Sequence, residues 1–525
     1  MKREMKADIV IIGGSLGGVA GALSAAKSGK KVILTEDTHW IGGQLTNQAV
    51  PPDEHMWIEQ FGCTESYREL RNRIRAYYKN NFSVTEEARN NKRLNPGNGW
   101  VGKLCHEPRT ALAVLTDMLA PYVHSGRVLI LTRYKAVKAE TSGYSILSVK
   151  VRSLDNGDEC TLVGSYFLDA TECGDLLPLT NTEYVTGSES QKDTGELHAL
   201  PGEADPLDMQ AVTWCFAMDH IEGEDFTISK PKDYDFWRNY KADFWPTKLL
   251  DWAIVNPPTL TKRDMTLFPP DSRSSLWGYR QIVDKNNFLP GSFDSSVTLV
   301  NWPQNDYWLG PIFEVSEEEA KKHIEGAKQL SLSLMYWMQT EAPRPDGKQG
   351  YPGLRLRGDI TGTDHGLAMQ PYIREARRIK AEFTVLEQHV GYEMREGRKS
   401  EEFKDSIGVG AYRIDLHPST AGRTYVDIPS LPFQIPLGSL IPQRVNNLLA
   451  ACKNIGTTHI TNGCYRLHPV EWNVGEAAGY AAAYCMNNNI SPKELRNNKS
   501  HLESYQKLLV KEGFELQWPD VSYEK

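Results

Sequence analysis

The stretch Ala7-Asp-Ile-Val-Ile-Ile-Gly-Gly-Ser-Leu-Gly-Gly18 decides how the rest of the chain is read. Four consecutive apolar residues, Ile9-Val-Ile-Ile12, predict a buried strand, and the glycines after them permit a tight turn that a side chain would obstruct. Residues 19–28 are rich in alanine and free of proline, which predicts a helix closed by Gly29, and Val32-Ile-Leu34 predicts a second strand that ends near Glu36. Such a strand, turn, helix and strand unit suits a dinucleotide, because the unsatisfied N–H groups and positive dipole end of the helix face the turn where a pyrophosphate sits. An acid closing the second strand accepts hydrogen bonds from ribose hydroxyls, so Glu36 favours an adenosine with a free 2′-hydroxyl. Written as G-x-G-x-x-G, the positions are Gly13, Ser15 and Gly18, with a small hydroxyl residue in the middle.

The chain has 525 residues, enough for two or three cores at ~150 residues each. Its 40% hydrophobic and 24% charged residues are those of an ordinary globular protein. A net charge of −8 without any basic block argues against nucleic acid as a partner. No segment approaches the ~20 apolar residues of a membrane span. The charged start, Met1-Lys-Arg-Glu-Met-Lys-Ala-Asp8, lacks the apolar core of a signal peptide. Eight scattered cysteines with no C-x-x-C predict reduced thiols in a cytoplasmic protein and no metal site.

Beyond Glu36, the paired glycines of Gly42-Gly-Gln44 let backbone pass close to something flat or bulky. Residues 63–100 read as a polar insertion, helical over 65–78. Pro108 can start a helix, and Ala111, Leu112, Leu115, Met118 and Leu119 give it an apolar stripe. Asp155-Asn-Gly-Asp158 predicts a hairpin between 149–151 and 160–162, and the strand over 165–169 runs into Ala170-Thr-Glu-Cys-Gly-Asp175, back at the nucleotide-binding sheet. Residues 187–366 change character: seven of the thirteen tryptophans fall between Trp214 and Trp308, as expected of a cap that excludes water, with Trp302 and Trp308 available as a platform for a flat substrate. Ser316-Glu-Glu-Glu319 predicts a capping box opening a helix to about 340. A third long helix is expected over 373–390, where Arg374, Arg377 and Arg378 crowd a positive helix end and need either Glu375 and Glu382 or an anionic ligand.

The C-terminal half carries a short strand at 447–452 and a helix started by Pro469, whose Val470, Val474, Ala477, Ala478, Ala481 and Cys485 share one face. Gly475 and Gly479, four apart, let it lie against another backbone. The resulting division is a nucleotide-binding domain from 1–186 with its return segment at 367–490, a mixed α+β cap at 187–366 and a helical tail at 491–525.

The combination of Gly13-Gly-Ser-Leu-Gly-Gly18, Gly42-Gly43, Leu168-Asp-Ala-Thr-Glu-Cys-Gly-Asp-Leu176, Ile373-Arg-Glu-Ala-Arg-Arg-Ile379, Gly410-Ala-Tyr-Arg-Ile-Asp-Leu-His417-Pro418 and residues 447–479 resembles the FAD-dependent oxidoreductase family, sometimes described as xanthan-lyase-associated. The resemblance implies an α/β, Rossmann-like and glutathione-reductase-like FAD-binding domain with a substrate domain beside it. It implies Gly13, Gly14, Ser15, Leu16, Gly17 and Gly18 at the pyrophosphate and Glu36 at the adenosine ribose. It also implies Gly42, Gly43, Gln44 and Ala170 along the cofactor, and Gly463, Gly475 and Ala478 on the segment aimed at the pyrimidine end of the flavin, whose reduced form carries negative charge that a helix dipole steadies. Two departures from the common pattern are Ser15 and Cys452-Lys-Asn454, which stands where many flavoproteins have Gly-Asp.

A flavin that oxidises a C–H next to a hydroxyl or amine needs a base for the X–H proton. Histidine has the right basicity, and four of thirteen, His106, His365, His417 and His459, sit in motif context. His459 ranks first and His417 second, with Arg466 placed to neutralise a substrate carboxylate or the flavin anion. No second glycine fingerprint for NADPH is visible, so electrons are expected to enter from a small-molecule substrate and leave to O2 or a separate acceptor. Three readings stay open: a dehydrogenase or oxidase of a small polar alcohol, sugar or amine; a flavin monooxygenase or halogenase; and a flavin-binding scaffold without turnover.

Overall fold

A computed structural model, which describes residues 3–268, 275–396, 398–519 and 521, places Ile9–Ile12 at the centre of a five-stranded parallel sheet. The order is Leu448–Ala450, Tyr166–Asp169, Ile9–Ile12, Val32–Glu36 and Val128–Thr132. The three central strands are buried throughout, which is why they read as unbroken apolar runs rather than alternating ones. Met1 and Lys2 of the charged start, and residues 520 and 522–525 of the tail, lie outside the described residues.

Two helices cross against this sheet at backbone contact. Leu16–Lys27 follows the glycine turn, and His468–Asn488 lies on it through glycines from both partners. A Cβ on Gly475 would stand 1.9 Å from the Gly17 carbonyl oxygen, and one on Gly479 would stand 2.4 Å from that of Gly21. The small residues therefore set the interaxial approach, and with it the position of everything the second helix carries.

The expected hairpin is present: Ser145–Ser153 pairs with Glu159–Val163, placing Val149 opposite Leu162 and Val151 opposite Cys160. Tyr134–Ser142 and Arg3–Lys6 flank it in a second four-stranded sheet. The insertion forms Glu65–Asn81, capped by Thr64, and the stripe after Pro108 becomes Pro108–His124 with Ala111, Leu115, Met118 and Leu119 buried. Gln281–Val283, Val297–Val300, Phe216–His220 and Leu354–Leu356 form an antiparallel sheet, accompanied by the long helix Glu317–Thr340, which Ser316 caps. Six of the seven tryptophans here are core, Trp214, Trp237, Trp245, Trp277, Trp302 and Trp308, and Trp252 is half-buried.

The third long helix does not form. Residues 373–390 run irregularly, with Arg378–Ile379 pairing Tyr184–Val185 and a single turn at Glu387–Val390. Each arginine finds a different acid: Arg374 meets Asp306, Arg377 meets Glu314 and Asp175, and Arg378 meets Glu375 and Glu189. A helix would crowd all three guanidinium groups at its positive end, whereas an irregular chain distributes them; tertiary pairing overrides propensity. Glu375 acts as anticipated, while Glu382 pairs instead with Lys493 at 3.3 Å.

Among the described residues, all eight cysteines are free and no helix is long and apolar enough to cross a membrane.

Candidate active site

Residues 369–374 separate two cavities. Pro371 and Ile373 line the first, of about 290 Å³, and Tyr372 and Arg374 line the second, of about 350 Å³.

The first cavity opens at the carboxyl ends of the parallel strands, where Gly13, Ser15, Glu36, Ala170 and Glu172 line it. Gly13 has φ +98°, and a Cβ there would come within 2.2 Å of the Ala170 carbonyl oxygen, so the turn admits no side chain. Ser15 occupies the middle position for a local reason: it is the helix cap, its Oγ accepting from the Gly18 N–H at 3.1 Å. Gly13, Gly14, Gly17 and Gly18 donate to Thr35, Glu36, Glu471 and Ser15, but the Ser15 and Leu16 N–H groups donate to nothing among the described residues. Two open donors at a helix start, beside a glycine cradle, fit a phosphate. Glu36 is buried and accepts from Gly14 N at 3.1 Å, Thr38 N at 2.8 Å and Thr38 Oγ1 at 2.6 Å. Burial, with the nearby charge of Asp37, pushes its carboxyl well above the ordinary range against the Thr38 hydrogen bonds.

The next loop holds Gly42 and Gly43 at φ +110° and +50°, and a Cβ on Gly43 would stand 2.3 Å from Glu172 Oε1. Gln44 donates to the Arg466 carbonyl at 3.2 Å and to Glu471, while Gln44 Oε1, Asn47 Oδ1 and Gln48 Nε2 are buried without partners. Unmatched polar atoms beside the glycine turn fit a polar cofactor running along this loop. Where Gly-Asp was expected, Lys453 forms a buried pair with Glu172 and stands 3.8 Å from Glu471, and Asn454 donates to the Asp169 carbonyl at 3.1 Å. Cys452, Glu172 and Glu471 offer ligand atoms within 4.8 Å of one another, but the Lys453 ammonium already supplies positive charge to both carboxylates.

Gly463 lies within His459–Tyr465 against Asp415, and Gly475 and Ala478 sit in the body of His468–Asn488, two turns past its start. That helix opens without a side-chain cap. Its first residue, His468, accepts from Asp53 N at 3.1 Å through Nδ1 and meets the Val50 carbonyl at 3.2 Å through Nε2. Burial lowers the imidazole pKa to about 4, against Asp53 and Glu471, so a neutral ring ties the helix start to the loop carrying Asp53.

The second cavity sets charged side chains among apolar ones such as Ile254, Met265, Leu276 and Trp302. Arg280 grips Asp53 with two bonds at 3.0 and 3.3 Å; Arg466 reaches Tyr372 Oη at 2.9 Å and Asp415 at 3.1 Å; Arg374 reaches Thr213 Oγ1 at 2.8 Å and Asp306 at 3.1 Å. His417 also lines this cavity, and its Nδ1 stands 2.6 Å from Asp306 Oδ2. Burial penalises the Asp306 charge, yet Arg374 and His417 outweigh it and hold the carboxyl below its ordinary value. An ionised Asp306 only accepts, so the hydrogen of this contact is carried by Nδ1. The nearest acid to Nε2, Asp415, is 3.7 Å away, too far for a hydrogen bond.

His459 lines neither cavity. It is buried with Nδ1 at 3.0 Å from Glu375 and Nε2 at 3.2 Å from Arg423, so both ring nitrogens are engaged. His106 is buried against the Glu107 carbonyl at 2.9 Å, and His365 accepts from Leu367 N at 3.2 Å. Of the two tryptophans offered as a platform, Trp302 lines the second cavity and Trp308 donates to Tyr240 at 3.0 Å. Asp53, Arg280 and Asp306 escaped sequence reasoning, for each lies far along the chain from its partner and in no motif.

The glycine turn, the buried acid ending the second strand and the adjoining arginine-lined cavity define a dinucleotide-dependent enzyme of the Rossmann type. The family model for FAD dependent oxidoreductases matches residues 8–509; the chain belongs to that family, and its cofactor is FAD. Comparison with curated proteins gave no match. Among solved structures, p-nitrophenol 4-monooxygenase from Pseudomonas putida aligns at 12% identity over 97% of this chain and 88% of that one, with a TM-score of 0.35. A geranylgeranyl bacteriochlorophyll reductase-like protein from Thermoplasma acidophilum aligns at 12% identity over 98% and 85%, with a TM-score of 0.32. L-proline dehydrogenase from P. horikoshii aligns at 14% identity over 37% of this chain and 26% of that one, about a quarter of its length, with a TM-score of 0.17.

Proposed function

We propose that the protein oxidises a small polar alcohol or amine bound in the second cavity, and that His417 is the base. FAD supplies the hydride acceptor, its N5. Residues Gly13 to Gly18 hold the pyrophosphate, with the Ser15 and Leu16 N–H groups as donors; Glu36 holds the adenosine ribose; the loop from Gly42 to Gln48 and the uncapped start of His468–Asn488 flank the flavin. The observation that carries the reading is the pairing of His417, on the wall of this second cavity, with the buried Asp306 behind it. His417 Nε2 takes the X–H proton as hydride leaves the neighbouring carbon, and Asp306 steadies the imidazolium that forms. Eight free cysteines support a reducing compartment, the cytoplasm.

Anaerobic mixing of the FAD-loaded enzyme with polar alcohols and amines tests this. Bleaching of the flavin by substrate alone is expected, followed by recovery on admitting air or an electron-accepting protein. Bleaching by NAD(P)H alone would point instead to a monooxygenase or halogenase, and no bleaching under any condition to a scaffold.

Replacing Glu36 with alanine should weaken FAD binding by roughly ten- to hundredfold, the worth of one or two hydrogen bonds to the ribose. Titration of the apoprotein with FAD measures it, and an unchanged affinity would remove Glu36 from the ribose site.

A further inference from the structure

We infer that the substrate is an anion rich in hydrogen-bond acceptors, a hydroxylated carboxylate, held by Arg280, Arg374 and Arg466. The inference rests on the proposed oxidation in the same cavity and adds the chemical class of what is oxidised.

The three acids that line the cavity are already matched: Asp53 by Arg280, Asp415 by Arg466 and Asp427 by Arg413. What remains unmatched is almost entirely donor. The Nε atoms of Arg280, Arg374 and Arg466 are buried without a hydrogen-bond partner, as are Asn301 Nδ2 and Trp302 Nε1; the Tyr425 hydroxyl, also unpartnered, works either way. An unsatisfied buried donor costs about 1–3 kcal/mol, and five of them on residues that line one cavity fit a ligand that accepts. A neutral polyol brings a donor with every acceptor and leaves part of the set unsatisfied. A carboxylate only accepts, and its bonds to guanidinium are charge-assisted. Each of the three guanidinium groups already faces one acid, Asp53, Asp306 or Asp415, so an anion gains here by completing their hydrogen bonds rather than by meeting an unpaired charge. Hydroxyls on the same ligand supply the C–H next to oxygen that His417 requires, together with further acceptors for Asn301 and Trp302.

Paired probes that differ only in one carbon, glycerate against glycerol and gluconate against sorbitol, test the inference on the FAD-loaded enzyme by titration calorimetry and by the visible flavin spectrum. The acid of a pair should bind at least about tenfold more tightly than its neutral partner. Arg280→Lys, which keeps the charge but loses the planar fork, should weaken the acid about tenfold more than it weakens the neutral partner. The comparison within each pair needs no variant and stands even where a substitution impairs folding. Neutral members binding as tightly as acids, or no acid binding across hydroxy acids of increasing length, would overturn the inference. The two readings fail separately: acids that bind without ever bleaching the flavin keep the anion and sink the oxidation, whereas neutral alcohols that bleach it while acids do not bind keep the oxidation and sink the anion.

Discussion

His417→Gln should leave the protein folded and yellow while slowing flavin reduction by substrate ~10²–10⁴-fold, the usual worth of a positioned general base. Glutamine keeps much of the volume and some hydrogen-bonding reach toward Asp306, but it has no lone pair of comparable basicity. The size of the loss depends on Asp306, which fixes the tautomer at 2.6 Å from Nδ1 and is itself kept ionised by Arg374. Asp306→Asn should therefore fall in the same range, because an amide no longer compels the imidazole to present Nε2 to the cavity. His417 is half-buried and outside the packed core, so little stability should be lost. Anaerobic single-turnover kinetics, normalised to bound flavin, separate a chemical defect from lost cofactor.

The second large effect is on the fold. Gly475→Val should cost about 3 kcal/mol or more, since its Cβ would stand 1.9 Å from the Gly17 carbonyl oxygen with backbone on both sides and no flexible side chain to yield. Separating the two helices also shifts the phosphate turn, because Glu471 on one helix accepts from the Gly17 N–H of the other at 3.0 Å. A lower unfolding temperature and loss of bound FAD should thus appear together. Gly29→Ala is the matched control: Gly29 has φ +84° but nothing within 4 Å of a Cβ, so it should cost only about 1 kcal/mol of backbone strain. Equal stability of the two variants would contradict the close crossing.

The dinucleotide-binding half was legible because its physics is local. A buried parallel strand shows as Ile9-Val-Ile-Ile12, a turn without room for Cβ atoms shows as glycine, and helix starts show as Pro108 and Ser316, whereas the caps Ser15 and Thr64 went unread. The crossing of Gly17 and Gly21 with Gly475 and Gly479 could be anticipated on one side only, since spacing reveals a flat helix face but not what covers it. The substrate cavity was far less legible. Its wall comes from residues 53, 280, 301, 374, 417 and 466, brought together by topology, and no short-range pattern distinguishes Asp306, which stands behind His417, from the chain's other acids. His459 looked stronger than His417 because it stands in a glycine-rich run before a helix, yet that run delivers it to a buried ion-pair cluster. The helix expected over 373–390 failed for the same reason: good helix formers were recruited one by one to acids on different elements.

The most direct check sets His417→Gln beside His459→Gln and measures the anaerobic rate of flavin reduction per bound FAD with the substrate that bleaches the parent. The His417 variant should be slower by at least about a hundredfold and the His459 variant should stay within about threefold of the parent, whatever it loses in stability. The reverse order, with His459→Gln slow and His417→Gln as fast as the parent, would show that the proton leaves elsewhere and that the second cavity is not where oxidation occurs.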